Sequence, residues 1–61
     1  MQNLTTKELT ALSEQLEQES VMISKYRMYA ANTADVELKT QFEQIAAKHC
    51  SHFDRLYALL G

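Results

Sequence analysis

Three residues of this sequence carry side chains whose types and spacing could do chemistry together, namely Glu19, His49 and His52. A carboxylate and two imidazoles form a donor set typical of transition-metal sites, and a spacing of three residues places both rings on one face of a helix. A buried carboxylate that accepts a hydrogen bond from an imidazole is also satisfied without a metal. The residues alone therefore leave two interpretations open, a metal site and a metal-free hydrogen-bonded network.

The donor types indicate which ion such a site would bind. Tyr26 and Cys50 are the nearby residues that could take part. Nitrogen ligands favour transition metals such as iron, zinc or manganese over calcium and magnesium. Tyr26, seven residues after Glu19, is either a core aromatic residue or a hydrogen-bonding partner of the carboxylate or of a metal-bound water. Cys50 adjoins His49 but lies off the face that carries the two histidines. We predict metal ligands here and no catalytic residue.

The element that must position the glutamate is a helix predicted over about residues 6–31. Its start is marked by Thr5-Thr6-Lys7-Glu8, a capping box in which two side chains satisfy free backbone N–H groups. Apolar residues then recur at alternating steps of three and four, which places them on one stripe of the helix. Glu19 is the exception in this stripe, which consists of Leu9, Leu12, Leu16, Glu19, Ile23, Tyr26 and Ala30.

A turn and a second helix complete the predicted hairpin. Residues 32–35, Asn-Thr-Ala-Asp, favour a turn, and a helix over about residues 36–60 follows, with the histidines as the exceptions in its stripe. A short connection makes the helices antiparallel. The glutamate lies about 12 residues before the turn and the histidines about 14 and 17 after it, so all three lie within roughly 3 to 8 Å of one height. The second stripe is Leu38, Phe42, Ile45, His49, His52, Leu56 and Leu59.

The fold class predicted for residues 1–61 is a single all-α domain that must associate to be stable. A chain this short buries only roughly 60% of its unfolded surface, and its one cysteine allows no internal disulfide. Met22, Ala46 and Phe53 widen the two stripes, so each helix needs more than one neighbour. We predict a homodimer in which two hairpins form a four-helix bundle with two glutamates and four imidazoles at its centre. The alternatives are hairpins opened into longer paired helices, and a hairpin packed on a different protein.

Charge and hydropathy exclude several classes of partner. The net charge is −2, and the basic residues form no cluster, so neither nucleic acid nor an anionic membrane is an expected partner. The first residues contain neither a basic segment followed by an apolar one nor a run long enough to span a bilayer. We therefore expect an intracellular, cytoplasmic protein with Cys50 reduced.

Segments along both helices give the chain a resemblance to one half of a rubrerythrin or ferritin-like domain. They are Glu19-Ser20, Lys25-Tyr26, Phe42-Glu43 and His52-Phe53-Asp54-Arg55-Leu56. In that family one helix supplies a metal-binding Glu with a Tyr seven residues later, and the next supplies a Glu and a His three apart. Glu19, Tyr26 and His52 match, whereas His49 stands where the family has Glu. The resemblance implies a ferritin-like bundle, and the departure argues against a di-iron centre that depends on bridging carboxylates.

The turn segment Thr-Ala-Asp-x-Glu-Leu-Lys, residues 33–39, is also similar to small ferritin-like proteins related to bacterial spore coat proteins. This second resemblance implies a dimeric hairpin, coat-type protein partners and a spore-associated location as the alternative to the cytoplasm, with no chemistry to carry over. The expected function is therefore a homodimeric structural or binding module whose Glu/His cluster takes up a transition metal. The alternative is a minimal rubrerythrin-like, metal-dependent redox enzyme.

Overall fold

The computed structural model describes residues 3–61, which form two antiparallel helices joined by a short turn. Helix α1 spans Thr6–Asn32 and helix α2 spans Val36–Ala58. The predicted all-α hairpin is therefore confirmed for this part of the chain. The predicted domain also includes residues 1 and 2, which lie outside the described residues.

The first turn of α1 is closed by the predicted capping box. The backbone N–H of Glu8 donates to Thr5 Oγ1 at 3.1 Å, and the backbone N–H of Thr5 donates to Glu8 Oε1 at 2.8 Å. Two N–H groups that have no partner within the helix are thereby satisfied. This reciprocal pair fixes where α1 begins.

The turn between the helices contains residues 33–35, one fewer than predicted, because α1 continues through Asn32. Asn32 stays helical and its side-chain amide donates to the carbonyl of Met28 at 2.8 Å. Thr33 is extended and ends α1, and Asp35 caps α2 by accepting the N–H of Leu38 at 3.0 Å. Such residues favour helix ends because their side chains compete for backbone groups. The turn thus ends one helix and starts the next within three residues.

The end of α2 differs from the prediction, which extended this helix to about residue 60. The regular helix stops at Ala58, and the chain then tightens: Leu59 N–H bonds to Leu56 O at 3.1 Å and Leu60 N–H bonds to Tyr57 O at 3.0 Å. Carbonyls at a helix end lack i+4 donors and are commonly satisfied by such i+3 bonds. The apolar spacing continues across this point and so gives no sign of the end.

The two helices form a single layer with little interior. The molecule measures 46 × 16 × 10 Å, and a helix with its side chains is itself about 10 Å across. Its radius of gyration is 14.3 Å, against about 10.5 Å for a compact domain of this length. Among the described residues only Leu12, Ala30, Ala46 and Glu19 are buried. One hairpin therefore does not bury the apolar stripes that the sequence provides.

Two adjoining depressions lie between the helices beside Glu19, and together we call them the open groove. Gln15 and Met22 of α1 and His52 and Leu59 of α2 line it. Leu38 and Ile45 continue the row of His52 and Leu59 along α2 at steps of seven residues. Leu38 and Leu59 are 43% and 41% exposed. Glu19 lies on the floor of the groove, thirteen residues from each end of α1. In residues 3–61, neither helix is apolar enough over a sufficient length to cross a bilayer.

Candidate metal centre

The structure brings the three predicted ligand residues together at mid-length of the hairpin. His49 Nδ1 lies 2.5 Å from Glu19 Oε1, and His52 Nδ1 lies 3.8 Å from the same oxygen. The Glu19–His49 contact joins residues thirty positions apart, so it exists only because the helices fold back on each other. The height estimated from the residue count therefore places these side chains correctly.

The second carboxylate oxygen has a partner that the sequence analysis missed. Gln15 Nε2 donates to Glu19 Oε2 at 3.2 Å, from one helical turn earlier. Side chains four residues apart on a helix are neighbours, and such polar pairs form hydrogen bonds. The Gln15–Glu19 spacing was therefore a usable signal, although it lies outside the apolar stripe.

His49 is held more tightly than His52. The ring of Tyr26 lies nearly parallel to that of His49, at 11° and 6.3 Å between centroids, and the His52 ring meets it edge-on at 5.8 Å. The His49 side chain is 22% exposed, whereas that of His52 is 47% exposed and faces the open groove. Tyr26, predicted as a core aromatic or a hydrogen-bonding neighbour of the site, thus contacts the centre through its ring.

Aromatic rings separate the polar cluster from the turn. Tyr29 and Phe42 lie 5.4 Å apart, and both contact Tyr26, at 5.5 and 6.0 Å. The ammonium of Lys25 sits 5.9 and 5.8 Å from the centroids of Tyr26 and Tyr29, a distance at which cations are attracted to ring faces. These rings limit the movement of His49 toward the turn.

The surroundings of Glu19 favour the ionised carboxylate. The hydrogen bond with His49 lowers the pKa of Glu19 most; burial raises it, and the Gln15 hydrogen bond and the charges of both imidazoles lower it further. The net pKa is below the ordinary value because donors to the charged form outweigh the loss of solvation. An ionised carboxylate is the form that can bind a cation.

The three donor atoms lie close enough together to hold one metal ion. One ligand atom each from Glu19, His49 and His52 lies within 4.8 Å of the others. Metal–ligand bonds of about 2.0–2.2 Å put two donors of a tetrahedral ion roughly 3.4 Å apart. The observed separations of 2.5 and 3.8 Å bracket that value. This group could therefore hold a metal ion.

Cys50 is not part of this group. Its sulfur accepts a hydrogen bond from Arg27 Nη2 at 3.6 Å and borders a separate cavity with Glu43, Ala46 and Ala47. The thiol is half-buried. The sequence analysis placed it beside the histidine face and not on it, and the structure agrees.

Comparison with known proteins adds no family to this description. A scan against protein-family models and searches of curated proteins and of solved structures found no match for the chain. Its similarity to ferritin-like and coat-type proteins therefore remains a prediction from the residues quoted above.

Proposed function

We propose that this protein is a transition-metal-binding helical module, structural or binding in role, that works as a homodimeric four-helix bundle of the ferritin-like kind. The observation that supports the metal is a buried glutamate with two imidazoles of the facing helix beside one of its oxygens. Buried ionisable groups persist where they are paired or coordinate an ion. A coat-type structural role is the part of this proposal that rests on the turn segment alone.

The position of His52 favours the metal over a metal-free network. Glu19 is already satisfied by His49 and Gln15, and His52, at 3.8 Å, is beyond hydrogen-bonding distance. In a metal-free network His52 would therefore make no hydrogen bond to Glu19. A cation bound between the three side chains would use them all.

The surface area supports a second copy over the open groove. The chain exposes 4839 Å², whereas a compact protein of its mass exposes about 4000 Å². The excess is about the 800 Å² that each partner buries in a standard interface. Groove-to-groove pairing would cover Leu38, Leu59 and the exposed edge of His52, and it would bring the partner's donors to the same centre. A protein of different sequence covering the groove is the competing arrangement.

Metal uptake tests the first half of the proposal. Protein purified without chelator and dialysed against Zn²⁺ should contain close to one ion per chain by elemental analysis, and His52→Ala should lose it. Lys39→Ala, in an exposed position of the same helix, is the matched control and should retain the ion. Wild-type protein without metal, or equal metal content in the two variants, would contradict the assignment.

Light scattering tests the second half. The wild-type chain should have the mass of two copies of 7.0 kDa, and Leu38→Lys should shift it toward the monomer because a charge would enter the covered groove. Val36→Lys makes the same change two residues away at a side chain 78% exposed, and it should leave the dimer intact. A well-folded wild-type monomer would rule out self-association.

A further inference from the structure

We propose that Gln15 is a positioning residue of the metal centre, which holds the Glu19 carboxylate so that a single oxygen faces the two histidines. This inference rests on the metal-binding function proposed above. It assigns a role to a side chain outside the ligand group, and it concerns how the carboxylate would bind the ion.

The two oxygens of Glu19 have different partners. Oε1 faces His49 at 2.5 Å and His52 at 3.8 Å, and Oε2 accepts the Gln15 amide at 3.2 Å. The terminal torsion of a glutamate is broad and roughly two-fold, so without a further contact the carboxylate could turn and exchange its oxygens. The amide of Gln15, one turn away on the same helix, opposes that rotation through its hydrogen bond to Oε2. Gln15 thus holds the carboxylate in the orientation in which one oxygen points toward the imidazoles and the other away from them.

The consequence is a carboxylate that binds through one oxygen. With Oε2 engaged by Gln15, each chain offers one oxygen and two nitrogens, which are three of the four ligands of a small, four-coordinate ion. Were Oε2 free, the carboxylate could bind through both oxygens, a mode used by larger ions with more ligands. Gln15 therefore favours low coordination and zinc-like ions.

The hydrogen bond can be tested on metal-free protein. In ¹H–¹⁵N spectra the side-chain amide signals of Gln15 should move toward those of a solvated glutamine when Glu19→Leu removes the acceptor. The signals of Gln44, an exposed glutamine on α2, should stay in place and serve as the reference. Unmoved Gln15 signals would overturn the contact on which the inference depends.

The positioning role is tested with Co²⁺, whose visible absorption is strong in four-coordinate sites and weak in sites with more ligands. Gln15→Leu should lower metal affinity about 10- to 100-fold, the usual effect of removing a residue that orients a ligand, and should weaken the cobalt bands. Gln44→Leu should change neither quantity. Circular dichroism of the metal-free variants, which should match that of the wild type, separates a change in coordination from a general loss of folding.

The two proposals fail in different ways. Wild-type protein that binds no Co²⁺ would overturn the metal-binding function and the role of Gln15 with it. Tight binding by the wild type, lost in His52→Ala but unchanged in affinity and spectrum in Gln15→Leu, would overturn the positioning role alone.

Discussion

Helix α1 carries two hydrogen-bonded glutamates in two different regions, its first turn and its middle. Glu8 is exposed, and its partner is Thr5, three residues away. Glu19 is 8% exposed, and one of its partners is His49, thirty residues away on the other helix. The pKa of each carboxyl is lowered, that of Glu8 chiefly by the backbone N–H of Thr5 and that of Glu19 chiefly by His49. Similar bonds thus serve a helix end in one region and the contact between helices in the other.

The difference shows that burial changes how much the loss of one carboxylate costs the folded protein. The capping box satisfies donors that water could otherwise reach, so its loss affects one turn. The middle cluster lies where an unpaired carboxylate would be costly, yet apolar residues of similar size could fill the same space. A polar group retained at such a position points to binding more than to stability.

The largest expected effect concerns the middle of α1 and depends on metal. At a free Zn²⁺ concentration one hundred times the dissociation constant, the wild-type chain should gain about 2.7 kcal/mol of unfolding free energy. Glu19→Leu should show no gain. Thermal melts with and without Zn²⁺, recorded by circular dichroism at fixed protein concentration, would measure both.

The same variant without metal provides the control. Glu19→Leu should change the metal-free melting temperature only slightly, because Gln15 is exposed and His49 is partly exposed, so water can replace the hydrogen bonds that they lose, and leucine adds apolar contact. A large loss of stability in the absence of metal would mean that the hydrogen-bonded network is itself structural, and it would remove the contrast with the first turn.

A smaller effect is expected at the first turn. Thr5→Ala removes the hydroxyl that accepts the Glu8 N–H and should cost about 1 kcal/mol, a typical loss for an N-cap. Thr10→Ala, at an exposed position inside the same helix, should cost nothing, since alanine is the better helix former. Urea titration of both variants would give the difference, and equal midpoints would contradict the capping role.

The smallest effect is a pH dependence at Glu8. Its folded-state pKa lies below the ordinary value of 4.5, so the unfolded chain binds the proton more readily and stability rises with pH. Wild-type protein should therefore exceed Glu8→Gln in stability above that value, and the gap should close as pH falls through the lowered pKa. Urea midpoints from roughly pH 7 down to pH 2 would test the sign; a gap that widens in acid would refute it.

Local features of the fold were predictable from the sequence because their causes lie within a few residues. The capping box needs only Thr5 and Glu8, and the turn needs only its run of cap-forming residues. The contact between Glu19 and His49 required one further step, the count of residues on either side of the turn. That count succeeds because both helices are regular, so height follows from residue number.

Other features depend on geometry that periodicity does not contain. Periodicity assigns both histidines to the interior, but only His49 is largely covered, because His52 lies in the row that borders the open groove. Gln15 was not predicted because it lies outside the apolar stripe. The end of α2 was placed two residues late, since Leu59 and Leu60 fit the spacing but not the helix. In each case the missing information is which neighbour covers the residue.

The central position of Glu19, thirteen residues from each end of α1, bears on how two copies would align. A second hairpin can lie along the groove pointing either way. A polar group near one end would meet its counterpart in only one of these orientations, whereas a group at the midpoint meets it in both. The cluster would therefore fix the axial register of the two copies but not whether they run parallel or antiparallel. The two ends of the hairpin differ and would set the direction: Tyr29 and Phe42 lie near the turn, and Leu56 and Leu59 line the groove toward the other end.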